Sequence, residues 1–188
     1  MNKSLIVTLL LLYIPGLAAP VPAQLPPSQE YAVQLRDGTT AFTSQPRLLS
    51  VTTTNNNTRS WSAAYYFTIE LPADASEPLK TIQIEQTQGF NIPRYNWEKT
   101  TIFTGHRRNR GAVFAIESAS ISDRTITLVL DDPIPPGTTF TVKLSPIRNP
   151  RTSGVYLFRV ATFPAGENPQ PAILRVGRLH FYSPYPYY

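Results

Sequence analysis

Proline placement constrains this chain more than any other feature. Nineteen prolines are spread through 188 residues, twice the average share of about 5%, and they fall between short apolar runs. A proline inside a helix removes a backbone donor and collides with the preceding turn, so long helices are excluded and short strands joined by turns remain. The runs alternate with period two, which puts successive side chains on opposite faces of a strand. Tyr65, Phe67, Ile69 and Leu71 are set to face one side, with Ala64, Thr68 and Glu70 on the other. Leu79, Ile82 and Ile84 lead a second run with Gln83 and Glu85 outward, and Val113 and Phe114 open a third that continues to Ile116. Ile126, Leu128 and Leu130 alternate with Thr125 and Thr127, and Phe140, Val142 and Leu144 alternate with Thr139, Thr141 and Lys143. Antiparallel strands with one face in a core need this pattern.

The stretch from Val155 to Phe163 is apolar on both faces except at Arg159 and Thr162, which marks a central strand. Ile173 to Tyr182 is placed to close a sheet, and Tyr31–Leu35 and Leu48–Thr53 are weaker early strands. Pro135-Pro136-Gly137 joins a fixed φ to a residue free to take positive φ, the chemistry of a type II turn. Asn149-Pro150 and Pro164-Ala165-Gly166 punctuate the next connections. About eight short strands at this spacing predict an all-β fold, an immunoglobulin-like antiparallel sandwich. It forms one domain over residues 31–183, between a flexible lead at 24–30 and a Tyr/Pro tail at 184–188.

The first residues read as an export signal. Lys3 is followed by an apolar run from Leu5 to Ile14 broken only by Thr8, then by Pro15, Gly16 and small residues, the layout of a secretory signal peptide. The run is shorter than the roughly 20 apolar residues of a spanning helix. Cleavage after Ala23 gives a signal at residues 1–23; cleavage after Ala19 would leave Pro20 just past the cut, and an uncleaved anchor is the other alternative. No second hydrophobic segment follows, so the mature chain is expected to have no transmembrane segment and to reside in the periplasm or outside the cell. Cysteine is absent. Packing alone must therefore hold an exported domain of a kind that often uses disulfides, and thiol chemistry, cysteine-held iron–sulfur clusters and lipid-modified cysteine are excluded. The net charge of +5 is a mild bias towards anionic polysaccharide, lipid head groups or nucleic acid, of which export disfavours the last.

Catalysis finds little support. There is no Gly-x-Ser-x-Gly elbow, and the two histidines, His106 and His180, show no ligand spacing. Asp131 and Asp132 are the only adjacent carboxylates. Neighbours on a strand point to opposite faces, so they make a poor acid–base pair and better fit a strand end capping the turn at Pro133. No acidic loop of the calcium type is present; no cofactor or metal is expected. An envelope-glycan hydrolase would need two converging carboxylates.

The clearest charged feature is His106-Arg107-Arg108-Asn109-Arg110, expected in a loop between two strands, with Arg94 and Lys99 nearby in sequence and Tyr95 and Trp97 between them. Guanidinium forks match carboxylate, sulfate and phosphate, and aromatic faces can stack on sugar rings. Arg94, Trp97, Arg107, Arg108 and Arg110 are therefore the candidate ligand-binding residues, for an anionic polysaccharide or a lipid head group. The same run also reads as a solvated basic loop. Arg148, Arg159, Arg175 and Arg178 lie in apolar stretches and either line one face or pair with Glu70, Glu85 or Glu117 across strands. Tyr185, Tyr187 and Tyr188 in the tail either serve a protein partner or form a loose end.

Several segments in fixed order carry a resemblance. They are Phe67-Thr68-Ile69-Glu70-Leu71-Pro72 with Glu77-Pro78-Leu79, Pro135-Pro136-Gly137-Thr138-Thr139, Arg148-Asn149-Pro150, Gly154-Val155-Tyr156-Leu157-Phe158, Phe163-Pro164-Ala165-Gly166 and Gly177-Arg178-Leu179-His180-Phe181-Tyr182. Over residues 65–182 the chain resembles a family of exported cyanobacterial proteins known only as a domain of unknown function. The resemblance implies a bacterial envelope or extracellular location and a β-rich fold, and brings no catalytic residues. The last strands also faintly resemble exported copper-resistance sandwich domains, but those bind copper through histidines near the mature N-terminus, and no histidine precedes His106 here. The expectation is a non-catalytic binding or structural module of the cell envelope, with an accessory protein that pairs through a sheet edge or the tyrosine tail as the alternative.

Overall fold

All but one of the alternating runs become single strands in the structure, a computed structural model that describes residues 38–184. The expected signal peptide, the flexible lead, the strand at Tyr31–Leu35 and the tail beyond Pro184 lie outside the described residues. Among those described there are eleven strands and no helix: β1 (Arg47–Thr53), β2 (Tyr65–Leu71), β3 (Leu79–Gln88), β4 (Thr101–His106), β5 (Asn109–Phe114), β6 (Ile116–Ser122), β7 (Thr125–Ile134), β8 (Thr138–Leu144), β9 (Gly154–Pro164), β10 (Ala172–Ile173) and β11 (Gly177–Phe181). They form two antiparallel sheets, one in the order β1-β2-β8-β4-β5 and the other β10-β9-β3-β7-β6, with β11 also pairing β9. Several connections cross from one sheet to the other, as in immunoglobulin-like sandwiches. The expected sandwich is therefore present, with eleven strands where the apolar runs suggested about eight.

The core lies between the sheets. Tyr65, Phe67, Ile69 and Leu71 of β2 are fully buried and face Ile82, Ile84, Leu128, Phe158 and Val160 of the opposite sheet. Leu79 and Ile82 both point inward despite their odd spacing, because a bulge between Leu79 and Thr81 inserts one residue; bulges shift the alternation in this way. Gly137 takes φ +77° between β7 and β8, the value a type II turn needs at its third position. β9 is central as expected, hydrogen-bonded on one edge to β3 and on the other to β10 and β11, but only the face with Tyr156, Phe158 and Val160 is buried, the one with Val155, Leu157 and Ala161 being half-buried.

Two details depart from expectation. The run through Val113 and Ile116 is not one strand. At Ala115 the chain leaves the edge of the first sheet as β5 and enters the edge of the second as β6, and the Asp131 amide donates to the Ala115 carbonyl. Asp131 and Asp132 do not end a strand, since β7 continues to Ile134. Proline is tolerated there because the ladder to β6 stops at Ile116–Leu130, so the side of β7 facing that edge needs no donor at Pro133.

Strand directions sort the connections to two ends of the sandwich. One end gathers the β1–β2 loop, the β3–β4 loop, the β6–β7 turn and the β8–β9 loop, together with Tyr182 to Pro184 after β11. The opposite end holds the β2–β3 loop, the Arg107–Arg108 turn, the β7–β8 turn and the β9–β10 loop. Thr40 joins that opposite end through a bridge to Pro169, whereas Asn57 bridges Tyr182 at the first.

Candidate functional site

The loops of the first end are fixed by one buried side chain. Asn149 donates from Nδ2 to the carbonyls of Asn55 (2.9 Å) and Asn57 (2.8 Å) and accepts at Oδ1 from the Tyr65 hydroxyl (2.8 Å). Its amide donates to the Ser60 carbonyl, and the Arg59 amide to the Pro150 carbonyl. The β1–β2 loop is thus tied to the β8–β9 loop and to the core beneath. On its other side the Thr58 amide donates to the Tyr182 carbonyl and the Tyr182 amide to the Asn56 carbonyl. The β3–β4 loop is tied in turn, by Gln86 Nε2 to the Asn91 carbonyl (2.9 Å) and by the Thr152 amide to Asn91 Oδ1 (3.1 Å).

This platform carries five arginines, Arg59, Arg94, Arg124, Arg148 and Arg151. No carboxylate pairs with any of them among the described ion pairs, which are Arg47–Glu70, Lys80–Glu117 and Arg159–Glu85. Backbone oxygens and a ring hold two of them in place. Arg148 donates from Nε to the Arg59 carbonyl (3.0 Å) with its guanidinium 4.6 Å from the Trp61 ring centre, and Arg124 donates to the Gly89 carbonyl (3.1 Å). Apolar side chains stand among the charges: Phe90 is 83% exposed and Trp61 67%, with Ile92 and Ile147 also exposed. Trp61, Phe90, Ile92, Arg94, Ile147 and Arg151 line a depression of about 530 Å³. None of the residues lining it, or the three depressions beside it, is acidic.

The basic run expected to form a loop is the tip of the β4–β5 hairpin, with His106 paired to Asn109. Gly105 takes φ +84° at a bulge, and a Cβ there would collide with the Asn109 carbonyl oxygen, so only glycine fits. The bend lays the tip over the outer face of the first sheet. Thr141 Oγ1 donates to the Gly105 carbonyl (2.7 Å) and sits 3.0 Å from Thr68 Oγ1. The Arg107 guanidinium lies 5.1 Å from the Tyr66 ring centre, and Arg110 lies 5.0 Å from that of Phe103 and donates to the Tyr66 hydroxyl (3.2 Å). Ala64, Tyr66 and Thr68, on the face set to look away from the core, are consequently buried. Arg108 is exposed at the tip.

The sequence-read cluster is thus divided by β4. Arg94 belongs to the loop end, and Arg107, Arg108 and Arg110 to the hairpin. Tyr66 links the two, because it carries the hairpin arginines and also lines a depression of about 500 Å³ with Lys99, Lys143 and Trp61. Trp97 is half-buried and stacks on Tyr95 (centroids 6.0 Å apart), which meets Tyr65 edge-on at 6.4 Å. It anchors the β3–β4 loop to the core. Burial pushes the Tyr65 and Tyr95 phenols far above their ordinary value, so both stay neutral and Tyr65 keeps its proton for Asn149. Arg59, Trp61, Phe90, Arg124 and Arg151 were not singled out by sequence; each lies close to a turn signal, but they meet only through the fold. Arg148 lies in a loop rather than a strand, and Arg159 pairs with Glu85 as one of its readings required.

His106 ends β4 in the first sheet, whereas His180 is on β11 beside the second and stacks on Tyr182 (4.3 Å). Among the described residues no three metal-ligating side chains cluster, and no helix is long and apolar enough to cross a membrane.

Fold and surface define a two-sheet β-sandwich with five arginines gathered at one loop end, none of them ion-paired among the described residues. In sequence the chain belongs to the family of proteins of unknown function DUF2808, whose model matches residues 39–181. No curated relative matches it. Among solved structures it is similar to the bacterial hydrophobin BslA, at 16% identity over 73% of this chain and 98% of that one, with a TM-score of 0.44. The full-length major pilin SpaD from Corynebacterium diphtheriae aligns at 8% identity and TM-score 0.47, over 72% of this chain and 34% of the pilin. The collagen-binding subdomain ACE19 of the Enterococcus faecalis surface protein ACE aligns at 11% identity and TM-score 0.38, over 72% and 92% of the two chains.

Proposed function

We propose that this chain is an exported, non-catalytic binding or structural module of the bacterial cell envelope, periplasmic or extracellular, and that its partner is an anionic envelope component. A polysaccharide or a lipid head group meets the basic surface that runs from the hairpin arginines Arg107, Arg108 and Arg110, past Tyr66, to Arg94 at the loop end. Trp97 serves that surface from beneath, by holding the β3–β4 loop. The observation that carries the proposal is the set of five arginines at one end with no carboxylate in its lining. Cations gathered without partners raise the local potential and draw anions from solution. Three carboxylates that might have served acid–base chemistry, Glu70, Glu85 and Glu117, are instead ion-paired.

Cosedimentation of the protein with isolated envelope fractions across a salt series tests this. Binding should weaken steeply with salt. It should fall in the His106, Arg107, Arg108 and Arg110→Ala variant, and fall further when Arg94→Gln is added. Binding indifferent to salt and to both variants would remove the charge-based assignment.

A second reading, an accessory protein that pairs through a sheet edge, is favoured by β5. This edge strand carries Val113 at 68% exposure and no proline, and open edges template pairing with another strand. It predicts assembly that survives high salt and is lost in Val113→Lys, read by light scattering.

A further inference from the structure

The loop end combines two properties that a purely polyanion-binding surface does not need together. Its depressions are lined by five arginines and no carboxylate, Glu98 and Asp123 of the same connections lying outside that lining, and it holds four exposed apolar side chains, Trp61, Phe90, Ile92 and Ile147. Monomeric surfaces rarely expose large apolar side chains in a group unless they bind something apolar. Guanidinium groups are suited to phosphate, and aromatic side chains with a polar surround settle at the boundary between head groups and acyl chains. The supporting loops are stitched by Asn149, Asn91 and Tyr182, so the group is held in place before any ligand arrives.

We infer that this end is a membrane-docking face: Phe90 and Trp61 enter the interfacial layer of an anionic bilayer while the arginines bind lipid phosphates. The inference rests on the anionic-partner reading above and names its source as a lipid surface. The sandwich then stands on the bilayer by its loop end, with the hairpin arginines on its flank beside Tyr66.

The test uses protein purified after export, with vesicles of phosphatidylcholine alone or mixed with phosphatidylglycerol, and with soluble dextran sulfate as a non-lipid polyanion. Binding to the anionic vesicles is expected, with little to phosphatidylcholine alone. The Trp61 emission should shift to the blue on binding, and Trp61→Phe should abolish the shift, since the half-buried Trp97 is the only other tryptophan. Phe90→Ser should lower vesicle binding about tenfold without altering the circular dichroism spectrum. The Arg94→Gln, Arg151→Gln pair should lower it about 30-fold, at about fivefold for each guanidinium near an anionic surface. Binding to dextran sulfate should be indifferent to Phe90→Ser. Vesicle binding that is absent, or unchanged in Phe90→Ser, overturns the inference. If envelope fractions are still bound in that case, the broader proposal stands with a polysaccharide as its ligand. If neither vesicles nor envelope fractions are bound, both fail.

Discussion

The two ends of the sandwich carry arginines under opposite circumstances. At the hairpin, Arg107 and Arg110 lie on the rings of Tyr66 and Phe103, and Arg110 donates to the Tyr66 hydroxyl. Their contacts help to cover the outer face of a sheet. At the loop end, Arg94 and Arg151 line an open depression, and Arg124 and Arg148 touch only backbone oxygens and one indole. Nearby polar groups at the hairpin's end also have local partners, as in Ser44 Oγ to Asp74 (2.6 Å) and Thr43 Oγ1 to Ser76 Oγ (3.0 Å). A run of charge along a chain therefore does not place its members alike: Arg107 and Arg110 lie on rings while Arg108 between them is exposed, and dispersed arginines converge where loops meet.

The contrast can be broken most directly at Asn149. Asn149→Ala would leave the Tyr65 hydroxyl and the Asn55 and Asn57 carbonyls without partners, at a cost of about 4 kcal/mol in urea unfolding. Asp74→Ala, which removes an exposed bond at the opposite end, should cost no more than about 0.5 kcal/mol. Comparable costs would mean that the loop end is not the more rigidly built of the two.

Alkali gives the next largest effect. The folded-state values of Tyr65 and Tyr95 are raised by burial, so the unfolded chain loses these protons first as pH rises. Their contribution is complete below the ordinary phenol value near pH 10 and falls above it, by about 1.4 kcal/mol per pH unit for each of the two phenols. Unfolding at pH 9, 10 and 11 measures the slope. Tyr65→Phe should flatten it, and a flat wild-type curve would show that these rings are open to water. Smaller still, Tyr66→Phe removes the bond from Arg110 but keeps the ring, and should cost about 0.7 kcal/mol. Arg159→Gln, at an exposed pair with Glu85, should cost about 0.3 kcal/mol and less in high salt.

Most of the sandwich could be read from period-two alternation. Residues such as Phe67, Ile84, Leu128 and Phe140 are fully or almost fully buried where the pattern put them. Where it failed, the determining contact was with a distant segment. Ala115 changes sheets without a glycine or proline to mark it; its carbonyl accepts from the Asp131 amide, one residue beyond the β6–β7 ladder on the neighbouring strand. Thr68 looked like a solvent position, and it is buried because a hairpin 37 residues further on bends over it at Gly105. The hairpin arginines were legible as a run. Those of the loop end were not, because residues 59 to 151 meet only when strand directions bring alternate connections together.

The bridges of Thr40 to Pro169 and of Asn57 to Tyr182 give the molecule a vectorial arrangement, since the described chain enters at one pole and leaves at the other. A tether on the residues before Gly38 would hold the sandwich by the hairpin pole and present the arginines outward, like a hand at the end of a fixed arm. A tether or purification tag placed after Pro184, which lines the arginine-bearing pole itself, would shade those arginines. The side of attachment thus decides which pole a neighbouring surface can reach.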